Sequence, residues 1–504
     1  MQNYTTQEPI YALATSYSPS ALAVIRASGD GVLSLFAPCF KGRLLSASTN
    51  QAVHGYIIDK SGRKVDEVVV IRYDKGHGYT SEEAFEIMSH GSLAVIKGIS
   101  AVLEALGFRK ALKGEFTYRA FMHGRMDLTE AEAVEELVKA RTEKASSSAL
   151  DRLSGSIKNE ADLIKKDIVD ILASLEVQLD YGEDEILEDW VFPEEKVGSI
   201  IDRLERIRDT YSASRLYSEG ASVVLAGRTN AGKSSLFNAL LKENRAIVSS
   251  VAGTTRDYLE VQAEIEGIPV RLFDTAGLRS SSDEIEAEGI KRSESLMESA
   301  DLILYVLDGD EKIEDAIEYL KKEVSLENGE REGDFDRKKI LFLHSKADLK
   351  RQVSAAEGGI TLNSLQLGVD AEDTGSKIDS KRNFKMEGSG SESESSISDG
   401  SKEEIWFSSK TGEGISDVTR AIAQKLTEDI DIISEVPQID SERQRNMLSE
   451  TIDALKDARK AKGMSVDIIA LYFQSALSSL AYLTGEVTND DILDVLFSSF
   501  CLGK

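Results

Sequence analysis

The chain has 504 residues, enough for several domains that each bury a core, and its 41% apolar content is that of an ordinary globular protein. A formal charge of −28 excludes a broadly basic nucleic-acid-binding surface, although a local basic patch is compatible with it. Two cysteines, Cys39 and Cys501, exclude a disulfide framework and fit a reducing compartment. The start, MQNYTTQEPIYALAT, lacks the basic and continuously apolar stretches of a signal peptide, so a cytoplasmic location is expected.

Residues 1–125 read as a small α+β domain. "ALAVIRAS" and "EVVVIRY" are strand-like, and "HGSLAVIKGISAVLEALG" has helical spacing ending on Gly107. From Asp127 the pattern turns helical, with Thr129 and Glu132 spaced as a capping box, and continues to about Tyr181. A further helical run covers Pro193–Ser218, and helical spacing returns after Thr427. The economical reading is one helical domain in two parts, 126–218 and 428–504, interrupted by an inserted domain over 219–427. "IIALYFQSALSSLAYLTG" (Ile468–Gly485) is uncharged and long enough to span a membrane, but its Gln474, its serines and its helical neighbours favour a buried helix. Arg351–Glu404 is Ser-, Glu- and Gly-rich; its part from about Asp370 is expected to be a disordered surface insertion, in preference to a phosphorylated regulatory segment.

The inserted segment carries the chemistry. "SVVLAGRTNAGKSSLFNALL" (Ser222–Leu241) is an apolar strand, a Gly227-x4-Gly232-Lys233-Ser234 loop and an amphipathic helix, the context a P-loop requires. The stretch Asn230, Ala231, Gly232, Lys233, Ser234, Ser235 would cradle phosphates, with Lys233 on the β- and γ-phosphates and Ser234 on Mg²⁺. "GTTRD" supplies Thr254 and Thr255 for metal and γ-phosphate, and "VRLFDTAGLR" ends in Asp274 for the Mg²⁺ shell and Gly277 for the γ-phosphate; both are natural switch loops. Ser345-Lys346-Ala347-Asp348 selects guanine through the Asp348 carboxylate, and the backbone of Ser408-Ser409-Lys410 would meet the guanine carbonyl. The fold expected here is a Ras-like GTPase domain with a mostly parallel sheet. Two departures stand out. Ser345 replaces the usual Asn, shortening one hydrogen-bonding arm at a cost of roughly 0.5–1.5 kcal/mol, and Leu278 stands where a water-orienting Gln is usual.

Together with "GEFTYRAFMHGRMDLTEAEAVEELVKART" and the terminal "FCLGK", these motifs resemble the MnmE (TrmE) family of tRNA-modification GTPases over nearly the whole length. The resemblance implies an N-terminal domain that is folate-binding-like, dimerises and binds 5,10-methylenetetrahydrofolate or a related tetrahydrofolate. It also implies a homodimer that works with an FAD-dependent MnmG partner in a heterotetramer. The substrate would be the wobble uridine of certain tRNAs, receiving an aminomethyl or carboxymethylaminomethyl group at C5. By resemblance Asn230, Ser249 and Val251 hold K⁺, placed where an arginine finger would bring its charge, Ser249 also belonging to the GTP site. Glu286 matches the water-orienting glutamate; read alone it is a solvated helix charge. Arg26, Glu86, Arg125 and Lys504 match the folate site, with Arg125 replacing a common lysine; alone, each is an ordinary surface or ion-pair residue. Cys501, read alone as a small packing hydrophobe, becomes a participant in the one-carbon chemistry. The five histidines show no metal-ligand spacing, so no metal beyond Mg²⁺ and K⁺ is expected. Two other functions share the nucleotide motifs: a GTP-dependent ribosome-assembly or signalling switch, and a GTP-degenerate scaffold prompted by Ser345. The switch leaves the N-terminal domain and FCLGK unexplained, and K⁺-stimulated GTP hydrolysis would exclude the scaffold.

Overall fold

The computed structural model describes residues 4, 6–180, 190–243, 260–274, 296–297, 299–309, 311–324, 340–349, 404–428 and 436–503. The chain divides into two compact units. One comprises Met1–Gly220, Gly267–Pro269 and Thr427–Lys504, and the other Ala221–Glu266 and Val270–Leu426.

The first unit begins with β1 (Ile10–Leu13), β2 (Ser20–Ser28), α1 (Val32–Phe36), β3 (Phe40–Lys41), β4 (Ala52–Ile58), β5 (Lys64–Tyr73), β6 (Ala84–Gly91), α2 (Leu93–Ala105) and β7 (Arg109–Lys110). The strands form a seven-stranded sheet in the order β3-β4-β5-β6-β2-β1-β7, antiparallel except where β1 meets β7. Strand alternation sends Ile25, Ala27, Val68, Val70, Phe85 and Ile87 to one face, where Phe36 of α1 and Ile99 and Leu103 of α2 close the core. Ser92 caps α2 by accepting from the Val95 N–H, and Gly107 turns the chain beyond it at φ 94°.

The helical part follows as α3 (Glu115–Met122), α4 (Leu128–Lys139), α5 (Glu143–Leu153), α6 (Ser156–Asp180), α7 (Glu194–Asp209) and α8 (Tyr211–Glu219). The capping box of α4 is not Thr129 with Glu132 but lies two residues earlier. Asp127 Oδ1 accepts from the Glu130 N–H at 2.8 Å, and Glu130 Oε2 accepts from the Asp127 N–H at 2.7 Å. Thr129 is buried and donates to Asp127 Oδ1. Both pairs have capping-box spacing; a buried partner elsewhere claims Glu132, whose carboxylate is gripped by Arg443 at 2.8 and 2.9 Å and by Gln444 at 2.5 Å.

The second unit runs through β8 (Ala221–Ala226), α9 (Lys233–Glu243), β9 (Glu260–Ile265), β10 (Ile268–Asp274), β11 (Leu302–Leu307), α10 (Ile313–Val324), β12 (Ile340–His344), β13 (Ile405–Trp406) and α11 (Ile415–Thr427). Its six-stranded sheet has the order β13-β12-β11-β8-β10-β9, and β8, β10, β11, β12 and β13 pair in parallel. β11 is buried at every position, as a central parallel strand covered on both faces must be. The order changes direction at β8, so the crevice at its carboxyl end is the natural ligand position in such a sheet.

The chain returns to the first unit as α12 (Glu442–Lys460), α13 (Val466–Thr484) and α14 (Asp490–Ser498). α6, α7, α12 and α13 share one core. α13 is long and apolar enough to cross a membrane by length and composition, yet Ile469, Phe473, Ala476, Leu480 and Leu483 form its buried inner face in that core. Leu493, Phe497 and Phe500 pack against Leu128, Ala131 and Val134 of α4. Full burial of Phe497 contributes about 1.5–3 kcal/mol and fixes the carboxyl end of the chain on the N-terminal half.

Candidate functional site

The phosphate loop leaves β8 at Gly227, whose φ of 134° and carbonyl neighbour admit no side chain: an added Cβ would lie 2.5 Å from the Val306 carbonyl oxygen. Asn230 takes a left-handed φ of 66° and is exposed, Ala231 is buried, and Gly232 has φ 108°. Lys233 is buried at the start of α9, its Nζ donating to the carbonyls of Gly227 and Arg228 at 2.7 and 2.8 Å. Those bonds aim the ammonium back over the loop that would hold phosphate. Ser234 Oγ donates to Asp274 Oδ2 at 2.8 Å, so the two groups read as Mg²⁺ ligands meet at the carboxyl ends of neighbouring strands. A hydroxyl and a carboxylate so placed are the oxygen donors a hard divalent ion takes.

The segment expected to select guanine lies beside the loop. Ser345 is buried, with Oγ donating to the Leu307 carbonyl at 2.9 Å, and its Cβ lies 3.5 Å from where a Cβ on Gly232 would be. Its hydroxyl therefore ties this segment to β11 behind the phosphate loop. Lys346 adopts a left-handed φ of 63° and pairs with Asp308. The Ala347 N–H donates to the Phe407 carbonyl at 3.1 Å and the Phe407 N–H to the His344 carbonyl at 2.9 Å, which sets Asp348, half-buried, next to Ser408. His344 stacks on Trp406 with ring centroids 4.4 Å apart. Ser408 is buried, its carbonyl accepting from Gly412 and its Oγ from Thr411. Ser409 and Lys410 are exposed, and with Ser235, Asn238 and Lys242 they line a cavity of about 530 Å³. Ser249, Val251, Thr254, Thr255, Gly277, Leu278, Glu286 and Lys504 lie outside the described residues, as does 351–403 of the acidic stretch.

A second constellation sits on the N-terminal sheet. The β2–β6 register places Arg26 directly opposite Glu86, on the face away from the core residues Ile25 and Ile87. Arg26 Nη2 donates to Glu86 Oε1 at 2.9 Å, and Arg26 Nη1 donates to the Gly503 carbonyl at 3.1 Å. The Arg26 guanidinium lies 5.8 Å from the Tyr79 ring centre, and Tyr73 OH donates to Glu86 Oε2 at 3.4 Å. Burial and then the nearby Glu86 charge raise the Tyr73 hydroxyl above its ordinary range. Arg26 Nε is buried with no hydrogen-bond partner among the described residues, an unspent donor that suits an acceptor-rich ring such as a pterin. The tail reaches this place because Leu502 bridges antiparallel to Lys113 and Gly503, at φ 89°, fits where a Cβ would come 3.0 Å from the Leu13 carbonyl oxygen. Cys501 is exposed and unpaired, so its reading as a small packing residue is corrected: Phe497 and Phe500 take the buried positions of the tail. Arg125 is exposed just beyond α3; among the described residues its side chain makes no hydrogen bond or ion pair with Arg26 or Glu86.

Tyr73 and Tyr79 were invisible to motif reading, since tyrosines in strands and turns carry no signal of their own. The alternation of "EVVVIRY" against "AFEIMSHG" is the one feature that pairs Tyr73 with the Glu86 side of the sheet.

Residues 128–501 match the MnmE helical domain, and residues 9–125 match the GTP-binding protein TrmE N-terminus. The chain is similar to tRNA modification GTPase MnmE of Treponema denticola, 38% identical over 99% of both chains. The proteins of the same name from Borrelia recurrentis and Treponema pallidum subsp. pallidum are 37% and 34% identical, again over 99% of both chains.

Proposed function

The chain belongs to the MnmE family of tRNA-modification GTPases, and from that premise we propose that it couples GTP hydrolysis to modification of the wobble uridine of certain tRNAs. The product carries an aminomethyl or carboxymethylaminomethyl group at C5, an FAD-containing MnmG partner shares the reaction, and a tetrahydrofolate supplies the carbon. Lys233 and the backbone of Asn230–Ser235 hold the phosphates, Asp348 and Ser408–Lys410 hold guanine, and Ser234, Thr255 and Asp274 hold Mg²⁺. Asn230, Ser249 and Val251 hold K⁺, and Glu286 orients the attacking water. The pterin or its tail is held by Arg26, Glu86, Arg125 and Lys504, with Cys501 beside the one-carbon unit. The protein works in the cytoplasm as a homodimer through its N-terminal domain.

The observation that supports this most is the seating of the tail: Arg26 holds the Gly503 carbonyl and Glu86 together, two residues from an exposed thiol. A GTP switch for ribosome assembly has no use for such a site. The test is nucleoside analysis of tRNA from cells carrying Lys233→Ala. C5-modified wobble uridines are expected to fall at least about tenfold, in line with loss of a phosphate-stabilising charge. Unchanged nucleosides, with the protein co-sedimenting with ribosomal subunits, would favour the assembly switch.

A further inference from the structure

The segment Val436–Asp440 carries the chain back from α11 into α12, and a buried cluster fastens it. Arg152 of α5 is 1% exposed. Its Nε and Nη2 donate to Glu136 Oε2 of α4 at 2.9 and 2.5 Å, and Nη2 also donates to Asp440 Oδ2 at 3.1 Å. Nη1 donates to Ser148 Oγ at 2.8 Å and to the Gln438 carbonyl at 3.4 Å, while Ser148 Oγ donates to Gln438 Oε1 at 2.9 Å. The Ile439 N–H donates to Thr210 Oγ1, immediately before α8, at 3.1 Å. Since α8 leads into β8, the outgoing and returning connections of the GTPase unit are tied at one place within the first unit.

The helix that Arg152 grips is the same one that supports the tail. Arg125 and the Asp127 cap lie at the start of α4, Ala131 and Val134 meet Phe497 and Phe500, and one turn apart Glu132 is held by α12 while Glu136 shares Arg152 with Asp440 of the return segment. One side of the clasp has room. A cavity of about 580 Å³ is lined by Ser148, Arg152, Ser156, Ser214 and Gln438, among others. Ser156 Oγ and Ser214 Oγ are buried there without a hydrogen-bond partner among the described residues. Buried ion clusters add little net stability, and a switch or register role is their best-attested use. Vacant space beside unused hydroxyls gives the return segment a second set of partners within reach.

We propose that Arg152 is a positioning residue for the modification reaction: its clasp on Glu136 and Asp440 holds α4 under the tail, and its release lets displacement of the return segment reach the site around Cys501. The inference rests on the proposed coupling of GTP hydrolysis to tRNA modification. The charged groups facing Glu136 are Arg152 on α5 and Asp440 in the return segment; Lys144 and Asp151 of α5 line the same cavity, and Arg443 of α12 grips Glu132 one turn away. Burial first, and then Asp440 within hydrogen-bonding reach, push the Glu136 carboxyl up to about 9. A protonated Glu136 supplies a donor to the Asp440 carboxylate and leaves the cluster with one negative and one positive charge.

The test uses full-length protein with its partner and tRNA, measuring GTP hydrolysis and modified uridine formed per GTP. Arg152→Gln is expected to retain GTP turnover within about twofold while modified uridine per GTP falls about tenfold, an ordinary size for coupling between sites. Glu136→Gln, an isostere of the protonated carboxyl, is expected to keep the wild-type ratio near neutral pH and to hold it toward pH 10, where the wild-type ratio drops. An unchanged ratio in Arg152→Gln, a parallel loss of both activities in a folded Arg152→Gln, or identical pH profiles for wild type and Glu136→Gln would overturn the inference. If Arg152→Gln does not fold, Ser148→Ala decides, since it removes only the hydroxyl that accepts from Arg152 and ties Gln438: a lowered ratio supports the clasp and an unchanged one overturns it. A wild-type protein that makes no modified uridine overturns the proposed function as well; an active wild type with unaltered variants overturns the clasp alone.

Discussion

Gly227 and Ser345 show how much a single position constrains the nucleotide site. At Gly227 both the backbone angle and the Val306 carbonyl exclude a Cβ, so Gly227→Ala must displace either the phosphate loop or β11. Binding of a fluorescent GTP analogue is expected to weaken at least about tenfold, because the loop amides lose their aim at phosphate. Ser345 stands out in the sequence as a departure from Asn, but its role is legible only in three dimensions. Its hydroxyl is committed to the Leu307 carbonyl, which leaves Asp348 as the group proposed to distinguish guanine. Cys501 shows the opposite case. Residue type alone favours burial for a free cysteine, and the neighbouring phenylalanines, being larger, take that place instead.

At the scale of elements, α4 joins three parts of the first unit. Its N-terminus is closed by the Asp127–Glu130 box, one face packs on the tail, and two carboxylates reach the return segment and α12. Asp127→Ala removes an acceptor from the first turn and is expected to lower unfolding free energy by about 1 kcal/mol in a denaturant titration. Several acidic residues follow one another in "DLTEAEAVEELVK", and nothing local ranks Glu130 above Glu132 as cap partner. The distant Arg443 and Gln444 decide, because a buried carboxylate requires a partner and a cap can be satisfied by either neighbour.

For the molecule as a whole, stability should respond to pH from both sides. Burial alone would raise the Glu115 carboxyl, but the Arg109 fork, the Leu112 N–H and Arg119 outweigh it and hold it below the ordinary carboxylate range. A depressed carboxyl contributes stability above its ordinary value that is lost as pH falls through the folded value. Glu136 acts in the reverse sense. Raised to about 9, it binds a proton more tightly folded than unfolded, so its stabilisation is present at low pH and lost as pH rises through that value. The melting temperature is therefore expected to decline from about pH 6 toward pH 9–10, and Glu136→Gln is expected to flatten that decline. A wild-type melting curve that is level across this range, or a decline equally steep in Glu136→Gln, would count against the Glu136 contribution.

The nucleotide-binding strand, loop and helix are written in consecutive residues, and so they are readable directly: spacing alone puts Lys233 and Ser234 at the head of a helix behind a buried strand. The sequence by itself also determined the period-2 strands of the N-terminal sheet and the apolar stripes of the paired helical stretches. What only the tertiary structure decided are the meetings of residues far apart in the chain. Arg26 and Gly503 are 477 positions apart, and Arg152 and Asp440 are 288 apart. No local propensity encodes such pairs. They follow from strand register, from aromatic burial that pins the tail, and from the need of each buried charge for a partner.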